Sequence, residues 1–331
     1  MLRLRITSLL VSAAAAAFGF CAVLSRPALA LETVSVRLSY TPFAAHIPMY
    51  VAAAKGFYRE AGLEVNILPG RGSTFAAMTV GAGKEEFGIS DPAAVLAARA
   101  KGVPVVVVAN LQQDNGVALV ATEKSGITKV EDLKGRKVGI LPGSTTTVFL
   151  QALLKRHGFA IEDTSSTTWR PGTDLPMLID GTIEAEATVY NNEIVTWSVE
   201  HPELKLKVWT MASLGFETPG YALITNEALL AKKPALVKAF TKATLRGGEY
   251  ALVNPSEAVA ILVKAVPELK PEIEEKKWQA TIPVTTSEMT KKNGLGALDR
   301  AKWSLLNDLL NTYGVTDAKV DLDAVLKDGF R

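Results

Sequence analysis

The chain is nearly without cysteine: Cys21 is the only one in 331 residues. It falls inside an N-terminal apolar run, so the remainder offers no disulfide, no thiolate metal site and no cysteine nucleophile. Histidine is almost as scarce. His46, His157 and His201 stand far apart, without H-x-x-x-H or H-E-x-x-H spacing, so no metal site is expected. G-x-S-x-G and Walker-type loops are missing too, and nothing in the sequence marks an activated nucleophile. On that ground the chain reads as a protein that is not an enzyme and needs no cofactor. Neither sign of charge dominates, with 36 Lys and Arg against 34 Asp and Glu. Without basic clusters there is no electrostatic footprint for nucleic acid or for an anionic membrane surface.

What is present begins with a leader. Arg3 and Arg5 precede an apolar run over residues 6–24, and Ala28-Leu29-Ala30 supplies the small-x-small pattern of a secretory signal cut after Ala30. The run is close to membrane length, so a retained anchor is the alternative. Five consecutive alanines and the Arg26-Pro27 break favour cleavage. Phe20 stands before Cys21, where a lipidation signal needs a small residue, so no lipid anchor is expected. The leader carries three arginines and no acid, which leaves 33 basic against 34 acidic residues, a formal charge of −1. The remaining chain, of about 300 residues, is long enough to split into two lobes.

Short β-branched runs alternate with longer helical ones, the pattern of an α/β protein with mainly parallel sheets. Strands are predicted over residues 34–38, 63–68, 86–89, 103–110, 117–122, 137–141, 185–189, 206–210 and 220–225. The run at 103–110 is continuously apolar, which signals a parallel strand covered on both faces. A helix is predicted over residues 46–61 with Pro48 in its first turn, and another begins at Asp91-Pro92, an acidic cap followed by proline. After residue 225 the pattern is helical. A middle segment, 121–221, inserted into a lobe made of 31–120 and 222–331, describes a bilobed clamshell with hinge crossings near residues 120 and 220. A small-molecule ligand would lie in the cleft.

Four clusters sit at predicted strand ends, where ligands of open α/β sheets bind. Tyr40-Thr41-Pro42, with His46 nearby, places a ring that can stack on a planar ligand or plug the core beneath the loop. For His46 alone a helix-start role is the simpler reading. Gly143-Ser144-Thr145-Thr146-Thr147 combines a helix start with hydroxyls, which suits an anion or polar group but also ordinary capping. Tyr190-Asn191-Asn192-Glu193 joins a ring, two amides and a carboxylate. That set suits a flat heterocycle with donor groups, because charge-assisted bonds to a carboxylate are the strong ones; capping by Asn191 is the bland alternative. Asp91, beside Ser90, and Gln112, beside Gln113, supply further polar atoms.

Four stretches carry a resemblance: T-P-F-A-A-H-I-P-M-Y-V-A-A-A-K-G-F-Y-R-E-A-G-L-E-V from Thr41, S-D-P-A-A-V-L-A-A-R-A-K-G-V-P-V from Ser90, V-E-D-L-K-G-R-K-V-G-I from Val130 and L-V-K-A-F-T-K-A-T-L-R-G-G-E-Y-A-L-V-N-P-S-E-A from Leu236. Together they resemble periplasmic ABC-transporter substrate-binding proteins of the thiamine pyrimidine-precursor type, the formylaminopyrimidine-binding kind. Most of these segments are shared with relatives for alkanesulfonate, taurine and nitrate. Y-N-N-E resembles the aromatic-Asn-x-Glu of the pyrimidine-binding members. The resemblance implies a periplasmic, monomeric clamshell of the type II kind that hands its ligand to an ABC permease and its ATPase subunits. It further implies that Glu193 bonds an aminopyrimidine edge, that Tyr190 helps enclose the ring, and that Tyr40 stacks where the family often has Trp. Phe43 replaces an Asn that often follows the proline, which leaves riboflavin or another flat aromatic open. Sulfonate-type anions at Ser144 and Thr145 are a further alternative, opposed by the charge of Glu193. Pyrimidine-synthesising relatives of the same fold carry a Cys/His cluster that this chain lacks, which points away from synthesis.

Overall fold

The structure is a computed structural model and describes residues 30–331; the leader, with Cys21, lies outside the described residues. Among the described residues, ten strands form two five-stranded sheets. The first holds β1 (Glu32–Arg37), β2 (Leu63–Leu68), β3 (Phe87–Ser90), β4 (Val105–Asn110) and β10 (Ala222–Asn226) in the order β2-β1-β3-β10-β4. The second holds β5 (Val117–Thr122), β6 (Lys137–Ile140), β7 (Ser165–Thr168), β8 (Ala185–Val189) and β9 (Leu206–Thr210) in the order β7-β6-β8-β5-β9. Helices flank both sheets, so the α/β class expected from alternation is the one observed.

Each sheet is mixed. In the first, β2, β1 and β3 pair in parallel while β10 runs against both β3 and β4. In the second, β7, β6 and β8 pair in parallel while β5 runs against β8 and β9. The reversed strands are those on which the chain enters a sheet after crossing from the other one. β4 departs from the expected doubly flanked position: it is an edge strand, paired with β10 alone in its sheet. All six of its residues are nevertheless buried, because later chain covers the edge. Asn110 N–H donates to Gly296 O at 3.1 Å, and Lys327 N–H donates to Val107 O at 2.9 Å. An edge that must not recruit a foreign strand is closed this way.

The helix predicted over residues 46–61 is broken. A single turn, Ala44–His46, leads into Ile47–Ala54, and Gly56, at φ 77°, turns the chain into the separate turn Phe57–Glu60. The break lets Tyr58 fold back onto Phe240 of the helix Pro234–Val253, with ring centroids 5.3 Å apart, and Phe240 stacks in turn on Phe87 at 3.8 Å. Gly247 of that long helix is a second determinant of packing. A Cβ there would stand 2.2 Å from Pro48 O, so only glycine allows Ile47–Ala54 this close. β7 escaped notice because its sequence, Ser-Ser-Thr-Thr, is polar and half of a sheet edge faces water.

Two short segments join the sheets, between Asn110 and Val117 and between Thr210 and Ala222. They bond to each other: Leu111 and Gln112 N–H donate to Tyr221 O at 2.8 and 3.0 Å, and Gly220 N–H donates to Gln112 O at 3.2 Å. Val284 O, at the end of the helix Pro271–Thr285, accepts from Gln113 and Asp114 N–H at 2.7 and 3.1 Å. Trp303 Nε1 donates to Asn110 Oδ1 at 2.9 Å. Gly220 has no room for a side chain, since a Cβ would lie 2.3 Å from Asp114 O.

Candidate functional site

The carboxyl ends of the parallel strands in both sheets converge on one cavity of about 300 Å³. Its first-sheet wall is Ser39, Tyr40 and Phe43 after β1, Arg71 after β2 and Tyr221 before the antiparallel β10. Its second-sheet wall is Leu141–Thr146 after β6, Trp169 and Pro171 after β7, and Thr188, Asn192 and Glu193 at the end of β8. Across the mouth, Thr74 Oγ1 donates to Gly143 O at 3.0 Å, joining the two walls directly.

The segment after β8 carries the most distinctive geometry. Tyr190–Ile194 is a widened, π-type turn that runs into the helix Val195–Glu200. Such turns are rare and recur at functional sites. Here the widening divides the three polar side chains. Asn191 turns away and donates from Nδ2 to Thr281 Oγ1 at 3.0 Å, tying the turn to the helix Pro271–Thr285. Asn192 and Glu193 face the cavity, and Asn192 Nδ2 donates to Glu193 Oε1 at 2.9 Å. The second oxygen, Glu193 Oε2, is shut from water and has no partner among the described residues. Burial, aided by the like charge of Asp174 and opposed by Lys277, pushes this carboxyl up to about 7.

Two further acids lie beside it. Burial raises Asp174, the first residue of the helix Asp174–Asp180. Glu186 on β8 is fully buried with both carboxyl oxygens unpaired among the described residues, and desolvation, then the charges of Asp174 and Glu193, hold it well above the ordinary carboxylate range. Trp169 Nε1 lies close enough to Glu186 to oppose the rise, yet makes no hydrogen bond of normal geometry. Of the three acids only Glu193 lines the cavity, on its second-sheet wall; Asp174 and Glu186 lie near it outside the lining. On the first-sheet wall Tyr40 is half-buried, and burial together with Glu193 and Asp174 pushes its phenol up to about 12.

Of the ten residues proposed from sequence, Tyr40, Ser144, Thr145, Asn192 and Glu193 line the cavity. Ser144 caps the helix Thr145–Arg156, accepting from Thr147 N–H at 3.2 Å and donating to Leu141 O at 2.8 Å, so its hydroxyl is largely committed to the loop itself. Thr41 is exposed and outside the lining. Asp91 is buried as a helix cap, accepting from Ala93 N–H at 2.8 Å and Asn115 Nδ2 at 3.0 Å. Gln112 lies buried in the crossing segment, and Tyr190 stands half-buried at the start of the widened turn; neither lines the cavity. His46 is wholly buried behind Ser39, its Nε2 3.0 Å from Ser39 Oγ. Sequence reasoning missed Ser39, Arg71, Trp169 and Tyr221. All four sit where a strand meets a loop at the same end of its sheet, so the strand-end rule would have found them had it been applied to every strand.

A family model described as NMT1/THI5 like matches residues 44–258. The riboflavin-binding protein RibY of Chloroflexus aurantiacus is 28% identical over 311 residues, 91% of this chain and 86% of that protein. A 4-amino-5-hydroxymethyl-2-methylpyrimidine phosphate synthase of Legionella pneumophila is 29% identical, covering 72% of this chain and 75% of its own. Among solved structures, the alkanesulfonate-binding protein SsuA of Xanthomonas axonopodis pv. citri, bound to MOPS, superposes with a TM-score of 0.71 at 15% identity, over 91% of this chain and all of that one. The shared architecture is that of periplasmic binding proteins. The synthase relatives correct one expectation. A reading of the chain as no enzyme, drawn from missing motifs and missing cysteine, does not stand when proteins this similar carry an enzyme's name. Absence of a familiar nucleophile motif excludes only the chemistries that need one. With its family model spanning more than half of the sequence, the chain belongs to the NMT1/THI5-like family.

Proposed function

We propose that this protein binds a small, flat heterocycle of the aminopyrimidine type, captured in the periplasm and passed to an ABC importer. The observation that carries the reading is the Asn192–Glu193 pair at the widened turn, with one carboxyl oxygen held by Asn192 and the other without a partner among the described residues. An amidine edge, a ring nitrogen beside an exocyclic amine, needs one acceptor and one group that can share a proton. A carboxyl poised near neutrality serves either way. It accepts from the amine and donates its proton to the ring nitrogen, or it accepts two bonds from a protonated ring, and the latter are the stronger kind. In this reading Tyr40 and Trp169, which line opposite walls, are the aromatic residues between which the ring is held.

The lining does not favour a sulfonate: its one cation among the described residues, Arg71, is offset by its one acid, Glu193, and two more acids, Asp174 and Glu186, lie near Glu193 outside the lining. The cavity volume of about 300 Å³ is at the small end for ligand sites, which favours one ring over a tricyclic flavin. Similarity to RibY across most of the chain keeps riboflavin as the second reading. Thermal-shift titration of residues 31–331 with 4-amino-5-hydroxymethyl-2-methylpyrimidine, riboflavin and MOPS separates them. A ligand at a hundred times its dissociation constant stabilises by about 2.7 kcal/mol. Stabilisation by MOPS alone would overturn the heterocycle reading, and stabilisation by riboflavin alone would replace it with the second.

A further inference from the structure

Behind the first-sheet wall of the cavity two hydrogen bonds run in series through His46, and a backbone amide fixes their direction. Phe43 N–H donates to His46 Nδ1 at 3.4 Å, and His46 Nε2 lies 3.0 Å from Ser39 Oγ. Ser39 lines the cavity beside Tyr221, whose phenol it acts on as a neighbouring hydroxyl that opposes the rise caused by burial. The imidazole is fully buried, flanked by Phe43 edge-on at 4.7 Å and by Tyr221 roughly parallel at 6.3 Å between centroids. No carboxylate or cation pairs with it among the described residues, and burial alone drives its pKa down to about 3, so the ring is neutral.

In a neutral imidazole one nitrogen donates and the other accepts, and the partner of one decides the role of the other. A backbone N–H can only donate, so Nδ1 is the acceptor and Nε2 carries the hydrogen. Nε2 then donates to Ser39 Oγ, and the Ser39 hydrogen is left to point at the Tyr221 oxygen. The Tyr221 hydrogen has one direction remaining, into the cavity. We propose that His46 is a positioning residue that, through Ser39, makes Tyr221 a one-way hydrogen-bond donor, so that the site selects ligands carrying an acceptor on the edge opposite the one bound by Glu193. The proposal rests on the heterocycle reading above for its ligand class, but the direction of the chain does not. It also removes Ser39 from consideration as a nucleophile activated by His46, since the imidazole nitrogen that meets its hydroxyl is itself a donor.

Two measurements test it. The first needs no ligand. In protein labelled with ¹⁵N-histidine, two-bond nitrogen–proton correlations identify the tautomer of each ring, with His46→Gln used to assign its signals. The expected result is the Nε2–H form for His46; the Nδ1–H form would reverse the chain and overturn the proposal. The second compares 4-aminopyrimidine with 2-aminopyridine, which keeps the amidine edge and replaces the other ring nitrogen by CH. The unaltered protein is expected to prefer 4-aminopyrimidine by about tenfold, the effect of leaving one buried donor unmatched. Tyr221→Phe should erase that preference while leaving 2-aminopyridine binding unchanged. His46→Leu should reduce it several-fold, and His46→Gln, whose amide can still donate to Ser39, should restore most of it. A merely structural role for His46 would weaken both probes equally, and that outcome would overturn the proposal. Binding of neither probe to the unaltered protein would overturn the heterocycle reading, and with it selection by Tyr221, while the imidazole spectrum alone would still decide the direction of the chain.

Discussion

Replacing Glu193 by Gln should make the protein more stable at alkaline pH and leave it unchanged in acid. Gln keeps the oxygen that accepts from Asn192 and removes only the charge. In the folded protein the carboxyl sits near 7 against an ordinary 4.5, because burial and Asp174 disfavour its ionised form. An acid whose folded pKa is raised holds its proton more tightly when native, so wild-type stability falls as pH rises from about 4.5 to about 7 and is level above that. At 1.36 kcal/mol per pH unit the full loss is about 3 kcal/mol, reduced toward about 2 by the water the cavity admits. The amide of the Glu193→Gln variant does not titrate, so the difference between variant and wild type is near zero at about pH 4 and about 2–3 kcal/mol in favour of the variant at about pH 8. Burial also raises Asp91 to about 7, but this group is common to both proteins and cancels in the difference. Chemical denaturation at pH 4, 6 and 8, without ligand, measures it. A difference that does not change with pH would mean that Glu193 is ionised normally in the fold, and would refute a proton-sharing carboxyl. The same variant should lose most of its affinity for an aminopyrimidine, so stability and binding move in opposite directions.

Glu186→Leu should likewise stabilise above pH 7, by about 1–3 kcal/mol, because it removes a fully buried carboxyl with no hydrogen bond at either oxygen among the described residues; a destabilised variant would show that the acid has a partner, and thermal denaturation at pH 8 decides. Gly247→Ala should destabilise by about 1–3 kcal/mol or more, since its Cβ would overlap Pro48 O and Ala52 N at 2.2 and 2.9 Å; an unchanged melting temperature would mean that the two helices separate at no cost. Ser144→Ala should lower stability by about 1 kcal/mol through loss of the cap on Thr147 N–H, with little change in aminopyrimidine affinity. A large loss of affinity there would move the ligand toward the hydroxyl cluster.

Much of the fold was legible because periodicity and punctuation are local properties. β-branched runs at 63–68, 117–122 and 185–189 became β2, β5 and β8, and Asp91-Pro92 did start a helix. The errors have local causes as well. Gly56 interrupts a helix whose apolar pattern continues on both sides of it. Ser-Ser-Thr-Thr makes a strand only because β6 lies beside it. The continuous burial of β4, read as a central parallel position, results instead from Gly296 and Leu326 covering an edge, which no reading of residues 105–110 could reveal.

For the site, the sequence by itself determined which residue types the strand ends would offer. Tyr40, Ser144 and the Asn192–Glu193 pair were visible because aromatic, hydroxyl, amide and acidic groups are conspicuous just after an apolar strand. Only the tertiary structure decided which of them share a cavity, since their partners come from loops tens to hundreds of residues away. It kept His46 at its helix start, accepting from Phe43 N–H, but gave its other ring nitrogen Ser39 of the cavity wall as partner, and placed Asp174 and Glu186 near Glu193. The ionisation of Glu193 belongs wholly to that second level. A carboxyl's pKa depends on what surrounds it in space, and neither the burial nor the neighbouring charges are written in the order of the residues.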